Sequence, residues 1–166
     1  MKKPDVKESF VVQELQLRYK RVRLESPAIL RSSTDVAEWL RPLIAWKARE
    51  VLVSIAVDNH NNVIGLEYVS QGTSMGAPAV PGEIFKALLL CNASAFIVAH
   101  NHPHGDPSPS DDDRATASLT AHAAALLGLK MLDFVIVSRE RHHSFENSDP
   151  AWREHPFQGR PHGSAE

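Results

Sequence analysis

The chain has 166 residues, of which 43% are hydrophobic and 23% are charged, and its formal net charge is −2. This size and composition predict one globular domain with a buried core, and the charge gives no basic footprint for nucleic acid. A single cysteine excludes an internal disulfide and a cysteine-based zinc site. No apolar stretch approaches the roughly 20 residues that span a bilayer, and no signal-peptide pattern follows Met1. We therefore expect a soluble, cytoplasmic protein.

In chain order, the first predicted elements are a strand, a helix and a hairpin. Residues 14–24 alternate apolar and polar side chains, which is typical of a strand. Residues 36–44 have apolar side chains at helical spacing, behind possible N-cap residues at 33–35. Residues 51–57 and 63–70 predict two strands, and the Asn- and Asp-rich turn between them predicts that they pair as a hairpin.

The second half of the chain continues with helices and buried strands. Residues 82–91 and 110–128 have the helical period, whereas residues 95–99 and 131–137 are short apolar runs typical of buried strands. One further strand is expected at residues 144–146. This order of elements predicts an α/β fold in which helices flank a mixed β-sheet.

Nine histidines are many for this length, and three of them, His100, His102 and His104, fall within five residues. They follow a predicted buried strand and precede a predicted helix. Two histidines that are two positions apart on an extended chain face the same side. A proline-rich loop then returns the chain to the helix start, which brings Ser110 and Asp113 toward the strand end. Two imidazoles and one carboxylate are a donor set that suits zinc with an open fourth position.

The same residues also have purely structural interpretations. Two histidines in a His-x-His pattern are by themselves weak evidence for a metal, and His104 is expected to be a solvent-facing loop residue. Ser110-x-x-Asp113 in front of a helix is also a capping-box pattern, which needs no metal. Asp111 and Asp112 then only add favourable charge at the helix N-terminus. The four residue types at fixed spacings, placed between a buried strand and a helix, nevertheless favour a metal site.

The full pattern, His100-x-His102-x7-Ser110-x2-Asp113, resembles the signature of the JAMM (MPN+/JAB) zinc metalloproteases. The wider string AHNHPHGDPSPSDDD is similar to the RadC-like branch of that family, whose usual form is HNHPSGDPxPS-x-x-D. Three further segments, LQLRYKRVRLESP, REVLVSIAVD and GLKMLDFVIVS, are similar to the RadC pattern in order and spacing. The resemblance therefore covers residues 14–145.

The resemblance implies a role for each residue of the motif. His100, His102 and Asp113 match the zinc ligands of the family. Ser110 matches a serine that helps to stabilise the oxyanion, and Glu50 matches the glutamate that acts as general base on the zinc-bound water. From the residues alone, a solvated charge at the start of a strand is the favoured explanation of Glu50.

The chain also departs from the usual RadC pattern at three positions. His104 replaces the serine of HPSG, Phe134 replaces the histidine of an LDH triplet, and Gly82 stands where arginine is common. None of these positions is an implied metal ligand. We therefore expect them to change what enters the site rather than metal binding.

The implied function is that of a zinc-dependent hydrolase of the JAMM type, which cleaves a peptide or isopeptide bond in a peptide or an isopeptide-linked protein. The alternative is a DNA-repair-associated or nucleic-acid-processing accessory protein of the RadC type without peptidase activity. The basic residues 18–23 support that alternative only weakly, because on an alternating strand they form a solvated face. A zinc deaminase is excluded because it needs a P-C-x-x-C motif with two cysteines, and this chain has a single cysteine. The substrate's identity and the oligomeric state stay open.

The implied domain organisation has three parts. Residues 1–13 are expected to be a flexible N-terminal segment, and residues 14–148 a RadC-like JAB/MPN metalloprotease domain with a fold similar to the cytidine-deaminase-like sandwich. Residues 149–166 contain several prolines and glycines without periodicity, so we expect a disordered tail. No membrane partner is expected.

Overall fold

The computed structural model describes residues 28–72 and 81–154 of the chain. The strand expected at residues 14–24, with its basic residues, and the N-terminal segment 1–13 lie outside the described residues, as do residues 155–166 of the expected tail. Within the described ranges, no helix is long and apolar enough to cross a membrane.

The described residues contain five strands that form one sheet. The strands are β1 (Val51–Val57), β2 (Val63–Gln71), β3 (Ala95–Asn101), β4 (Lys130–Val137) and β5 (His142–Ser144). Their order across the sheet is β2-β1-β3-β4-β5. β3 and β4 run parallel, whereas the other neighbouring pairs are antiparallel. The hairpin of β1 and β2 and the mixed direction of the sheet are thus as the sequence predicts.

Helices cover both faces of this sheet. They are α1 (Ser33–Leu40), α2 (Pro81–Leu90), α3 (Asp111–Leu126) and the single turn α4 (Phe145–Ser148), with a π-helical turn at Arg41–Ala45 and a 3-10 helix at Pro150–Glu154. The helix α1 and the π-helical turn pack on one face, and α2 and α3 pack on the other. Because successive strand residues point to opposite faces, the inner strands β1 and β3 are buried along their whole length. The expected α/β fold class is therefore confirmed.

The boundaries of the first helix differ from those expected. The N-cap is Ser32 rather than a residue at 33–35. The Ser32 hydroxyl accepts a hydrogen bond from the Asp35 N–H, and the Ser32 N–H donates to the Asp35 carboxylate. The α-helical hydrogen bonding stops before Pro42, which lies in the π-helical turn and has no N–H to donate. A reciprocal cap and a proline thus set the two ends of α1.

The C-terminal part of the described chain is more ordered than its composition suggests. The expected strand at residues 144–146 is corrected to β5, because the hydroxyl of Ser144 caps the helical turn that follows it. The segment 149–166, expected to be a tail, begins with the 3-10 helix. Trp152 in this helix is only 2% exposed, and its ring centroid lies 5.9 Å from that of Phe145. One buried aromatic side chain therefore fixes a segment that has no hydrophobic periodicity.

The next residue, Arg153, covers the beginning of β4. Its Nη2 atom donates to the carbonyl oxygens of Met131 at 3.0 Å and Leu132 at 2.7 Å. The guanidinium also lies over the ring of Trp152, 4.7 Å from the ring centroid. The 3-10 helix is therefore attached to the sheet by both an apolar and a polar contact.

A buried carboxylate, Asp133, connects β4 with the segment after β5. Its Oδ1 atom accepts hydrogen bonds from the backbone N–H groups of Phe134 at 2.7 Å and Glu146 at 3.0 Å, and its Oδ2 atom accepts one from the Ser144 hydroxyl at 2.6 Å. Burial raises the pKa of this carboxyl even though all three hydrogen bonds favour its charged form. Asp133 thus holds together the end of the sheet that includes β5.

We expect Asp133→Ala to lower the free energy of unfolding by about 3 kcal/mol, because it leaves two backbone N–H groups and one hydroxyl without their acceptor. Urea denaturation at pH 7 measures the effect. Glu140→Ala is the matched control, since Glu140 is an exposed carboxylate in the turn between β4 and β5, and we expect a change within about 0.5 kcal/mol. Equal losses in the two variants would contradict the structural role of Asp133.

The raised pKa of Asp133 also predicts a pH dependence of stability. The folded protein binds the Asp133 proton more tightly than the unfolded chain, whose carboxyl has the ordinary value of 3.8. The stability that this proton contributes is present below that value and is lost as the pH rises through the folded-state pKa. Relative to Asp133→Asn, the free energy of unfolding of the wild type therefore falls as the pH rises from 3.8 upward. A constant difference in urea titrations across that range would contradict this sign.

Candidate metal centre

The end of β3 and the loop after it carry both histidines of the predicted metal site. His100 lies in β3 and is paired with Leu52 of β1 on one side and Ile136 of β4 on the other. His102 directly follows the strand, and its backbone N–H donates to the carbonyl of Val137 at 3.0 Å. Because the chain stays extended here, both rings project to the same side, and their Nε2 atoms lie 3.0 Å apart.

Hydrogen bonds within the loop orient the ring of His102. Its Nδ1 atom lies 2.8 Å from the carbonyl oxygen of Asp106. Since a carbonyl oxygen only accepts, Nδ1 carries a proton, and Nε2 is the atom at which either a proton shared with Asp113 or a metal ion can be held. Gly105, with a φ of 92°, forms the turn between these two residues, and the Asp106 side chain accepts hydrogen bonds from the N–H and hydroxyl of Ser108. The loop thus presents His102 in the tautomer that binds a metal through Nε2.

The carboxylate of Asp113 reaches the same point from the first turn of α3. The Ser110 N–H and hydroxyl both donate to its Oδ2 atom at 2.7 Å, and the Asp113 N–H donates to the Ser110 hydroxyl oxygen at 3.1 Å. This is the capping box expected from the sequence. The single hydroxyl hydrogen of Ser110 is directed at Asp113, so the cap also fixes the orientation of the carboxylate.

Three potential ligand atoms therefore converge. Asp113 Oδ1 lies 3.0 Å from His100 Nε2, and Asp113 Oδ2 lies 3.4 Å from His102 Nε2. In a tetrahedral site with metal–ligand bonds of about 2.0–2.1 Å, two ligand atoms are roughly 3.3 Å apart. His100, His102 and Asp113 form a group whose ligand atoms lie within 4.8 Å of one another. The group can hold a metal ion, and its two imidazoles and one carboxylate suit a zinc-type ion.

The pKa shifts of Asp113 and His102 also favour the binding of a cation at this group. Burial alone would raise the pKa of the Asp113 carboxyl, but hydrogen bonds from His100 and His102 outweigh burial and hold that pKa far below its usual range. The hydrogen bond to Asp113 in turn raises the pKa of His102, and the more distant charge of Glu50 adds to the effect. A site with this much negative potential attracts a proton or a metal cation, and the two compete for the same lone pairs.

The inner side of the site is apolar. His100 is only 5% exposed, and within the described part of the chain its buried Nδ1 atom has no hydrogen-bond partner. The ring of Phe134 meets the His100 ring edge-on, with centroids 5.5 Å apart. Phe134 is fully buried and packs on Phe145 as well. The outer side is open by comparison, since the side chains of His102 and Asp113 are 14% and 15% exposed.

The remaining sequence-predicted residues lie around this group. Glu50 is half-buried and stands directly before β1, beside the strand that carries His100. Its carboxylate is not one of the three converging ligand atoms, but it is close enough to influence His102 electrostatically. His104 is exposed in the loop, as expected, and lies outside the converging group.

Sequence reasoning missed the residue between the two histidines, Asn101. Its side chain is fully buried and bonds to the backbone that precedes β1. A signal for this role was available, because a polar amide at the end of a buried strand must find hydrogen-bond partners. What the sequence could not provide was the identity of those partners, which lie about 50 positions away along the chain.

A family model, described as the RadC-like JAB domain, matches residues 30–150. The chain belongs to this family. The match covers β1 to β5 and every residue of the converging group, so it includes the whole candidate metal centre. The family expected from the motif is therefore confirmed.

Several curated bacterial proteins are similar to this RadC-like JAB domain. A UPF0758 protein of Thermotoga maritima is 37% identical over 132 residues, which are 80% of this chain and 59% of the relative. A UPF0758 protein of Coxiella burnetii is 36% identical over 135 residues, covering 81% of this chain and 60% of the relative. One from Stenotrophomonas maltophilia is 35% identical over 133 residues, covering 80% and 57%. The chain thus spans somewhat less than two thirds of the length of these relatives.

The three departures from the usual RadC pattern leave the converging group intact. Phe134 packs against His100 from the buried side, and His104 is exposed in the loop. Gly82 lies exposed in the first turn of α2, where an added Cβ would meet nothing within 4 Å. The three departures of this RadC-like JAB domain from the usual pattern therefore all lie outside the three converging side chains.

The geometry predicts that the full chain, stripped of metal and dialysed against zinc, binds one ion at this site. Asp113→Ala removes one of three ligands, so we expect an affinity loss of more than about 100-fold, since even outer-shell partners are worth about 10–100-fold. Asp112→Ala is the matched control, because Asp112 is an exposed carboxylate in the same helical turn. Zinc analysis and circular dichroism of both variants measure binding and folding. Equal zinc content in the two folded variants would contradict the site.

Proposed function

We propose that this RadC-like JAB domain is a zinc-dependent hydrolase that cleaves a peptide or isopeptide bond. The observation that carries the proposal is the convergence of His100, His102 and Asp113 with ligand-atom separations of 3.0–3.4 Å. Three protein ligands leave a fourth position for water or substrate, which is the arrangement of catalytic rather than structural zinc sites. The partial exposure of His102 and Asp113 allows a substrate to reach that position.

The metal and the surrounding residues have distinct tasks in this proposal. A zinc ion held by the three side chains supplies a Lewis acid that lowers the pKa of water and polarises the scissile carbonyl. His102 offers its Nε2 lone pair because Nδ1 is bonded to Asp106. Asp113 offers its carboxylate because the capping box fixes its rotamer. The ligands are thus preorganised by contacts that do not depend on the substrate.

Glu50 is the proposed general base. Its carboxylate accepts a proton from the attacking water, the water oxygen bonds to the carbonyl carbon, and the C–N bond breaks. Glu50 then delivers that proton to the departing nitrogen, and the second proton of the water passes from the new carboxyl group to the amine, so that one amide and one water give one carboxylate and one ammonium product. Its half-buried position directly before β1, from which its charge acts on His102, supports this role, since a base must come within hydrogen-bond reach of the water.

Ser110 has a more restricted part in this proposal than the family resemblance implies. Its hydroxyl hydrogen is directed at Asp113 Oδ2, so in this arrangement it is not available to an oxyanion. The Ser110 N–H holds the same carboxylate oxygen at 2.7 Å. If the hydroxyl rotates toward a bound carbonyl, the N–H still keeps Asp113 in place. Stabilisation of the oxyanion by Ser110 therefore requires the bond to Asp113 to be exchanged for one to the substrate.

The proposed role of Glu50 is tested by Glu50→Gln. We expect the variant to bind zinc as the wild type does and to lose about 10²–10⁴-fold in kcat/KM, because it removes proton transfer but not a ligand. The assay uses quenched-fluorescence peptide pools and an isopeptide-linked protein conjugate, with the metal chelator EDTA as the negative control. Glu140→Gln, an exposed site in the turn between β4 and β5, is the matched variant.

Two outcomes would count against the proposal. Full activity in Glu50→Gln would remove Glu50 from the mechanism while leaving the metal centre in place. Failure of the zinc-loaded wild type to cleave any of the amide substrates, in a chain that binds one zinc, would overturn hydrolysis itself.

A further inference from the structure

We propose that Asn101 is a positioning residue that fixes Glu50 relative to the metal ligands. The inference rests on the proposed function, because it concerns the base of that reaction. It deepens that function by joining two parts of the site, the ligand-bearing end of β3 and the segment that leads into β1. The argument depends on the hydrogen bonds of one buried side chain.

The hydrogen bonds of the Asn101 side chain all go to the segment around Glu50. Its Oδ1 atom accepts a hydrogen bond from the N–H of Val51 at 2.8 Å. Its Nδ2 atom donates to the carbonyl oxygens of Arg49 at 3.2 Å and Lys47 at 3.4 Å. The residues immediately before and after Glu50 are therefore both bonded to the same amide, and Asn101 is 0% exposed.

A second contact holds the backbone of Glu50 itself, from the side of β2. The carbonyl of Glu50 accepts a hydrogen bond from the N–H of Gly72, which follows β2, at 2.7 Å. The backbone of Glu50 is thus fixed between the end of β2 and the end of β3. By contrast, the side chains of Lys47 and Arg49 are exposed and add little packing to this segment. Loss of the Asn101 side chain would therefore remove three of the hydrogen bonds that hold the segment leading into Glu50.

The position of Asn101 in the strand explains why this one residue can connect both parts of the site. Side chains alternate between the two faces of a strand, so His100 and Asn101 point to opposite faces. His100 faces the side on which Asp113 lies, and Asn101 faces the segment before β1. Asn101 is also covalently joined to His100 and His102. The position of Glu50 relative to His100 and His102 therefore depends on the Asn101 side chain and the two peptide bonds beside it. It does not depend on a long series of core contacts.

The chemistry of the side chain is specific to an amide. One acceptor and two donors are used at once, and only Asn offers both at this length. Asn101→Asp keeps the acceptor for Val51, loses both donors and brings a carboxylate against two carbonyl oxygens. Asn101→Leu keeps the approximate volume and removes all three hydrogen bonds. The two variants therefore weaken the connection by different amounts without deleting a metal ligand.

The test places a paramagnetic ion in the full chain and asks where Glu50 lies relative to it. The metal-free protein is loaded with Co²⁺, and the pseudocontact shift of the Glu50 backbone amide is measured in the wild type, Asn101→Asp and Asn101→Leu. Ser138→Ala is the matched control, because Ser138 is buried and its hydroxyl bonds to Arg141 in the turn between β4 and β5 rather than to the segment around Glu50. Unfolding midpoints of all four proteins are recorded in parallel.

We expect each protein to bind one Co²⁺ and the Glu50 shift to fall by more than about half in Asn101→Leu and by less in Asn101→Asp, with Ser138→Ala unchanged. With an amide substrate, kcat should fall about 10–100-fold in Asn101→Leu at unchanged KM, as expected for a displaced catalytic group. Glu50→Gln should then lower kcat by a much smaller factor in the Asn101→Leu background than in the wild type. A purely structural role would lower the unfolding midpoint without this non-additivity.

The outcomes separate this inference from the proposed function. An unchanged Glu50 shift in both Asn101 variants, with Co²⁺ bound, would overturn the positioning role and leave hydrolysis standing. A reduced shift in a protein that cleaves no amide would support the positioning of Glu50 and overturn hydrolysis. A wild type that binds no Co²⁺ would overturn both. If Asn101→Leu does not fold, Asn101→Asp alone decides through the same shift.

Discussion

The site depends on three acceptor atoms that the fold holds against one another. Two imidazole Nε2 atoms and a carboxylate oxygen lie within hydrogen-bond distance, and the lone pairs of such atoms repel unless a proton or a cation lies between them. The fold maintains this arrangement through contacts made elsewhere, namely the strand pairing of His100, the loop bond of His102 and the capping box of Asp113. Such an arrangement costs free energy in the empty protein and lowers the cost of organising ligands when an ion binds.

The sheet explains how this arrangement is built from distant parts of the chain. β3 is the central strand, with β1 antiparallel on one side and β4 parallel on the other. The C-terminal end of β3 therefore lies between the start of β1 and the end of β4, at one end of the strands. Ligands occupy one face of the sheet at that end, while the Asn101 amide binds the backbone before β1 from the other face. The proposed site, which combines residues 50 and 113, is thus local in space although its parts are far apart in sequence.

Much of this could be predicted from the sequence, because the signals were local. The hairpin turn, the buried run before His100, the His-x-His spacing and the Ser110 cap are all encoded within a few residues. What escaped prediction depended on tertiary contacts. The buried Trp152 orders a segment whose composition suggests a tail, and Ser144 ends a strand by capping a helical turn. The partners of Asn101 and the direction of the Ser110 hydroxyl hydrogen also follow only from the packed structure.

The guanidinium of Arg153 has a consequence for how this domain behaves at high concentration. β5 pairs with β4 only at Val135–Val137, so the first half of β4 has no described strand neighbour on that side. An open strand edge of this kind invites hydrogen bonding to another chain. Arg153 occupies the carbonyl oxygens of Met131 and Leu132, the groups that an incoming strand would seek. One cation therefore occupies two of the hydrogen-bond acceptors that an incoming strand would need at this edge of the sheet.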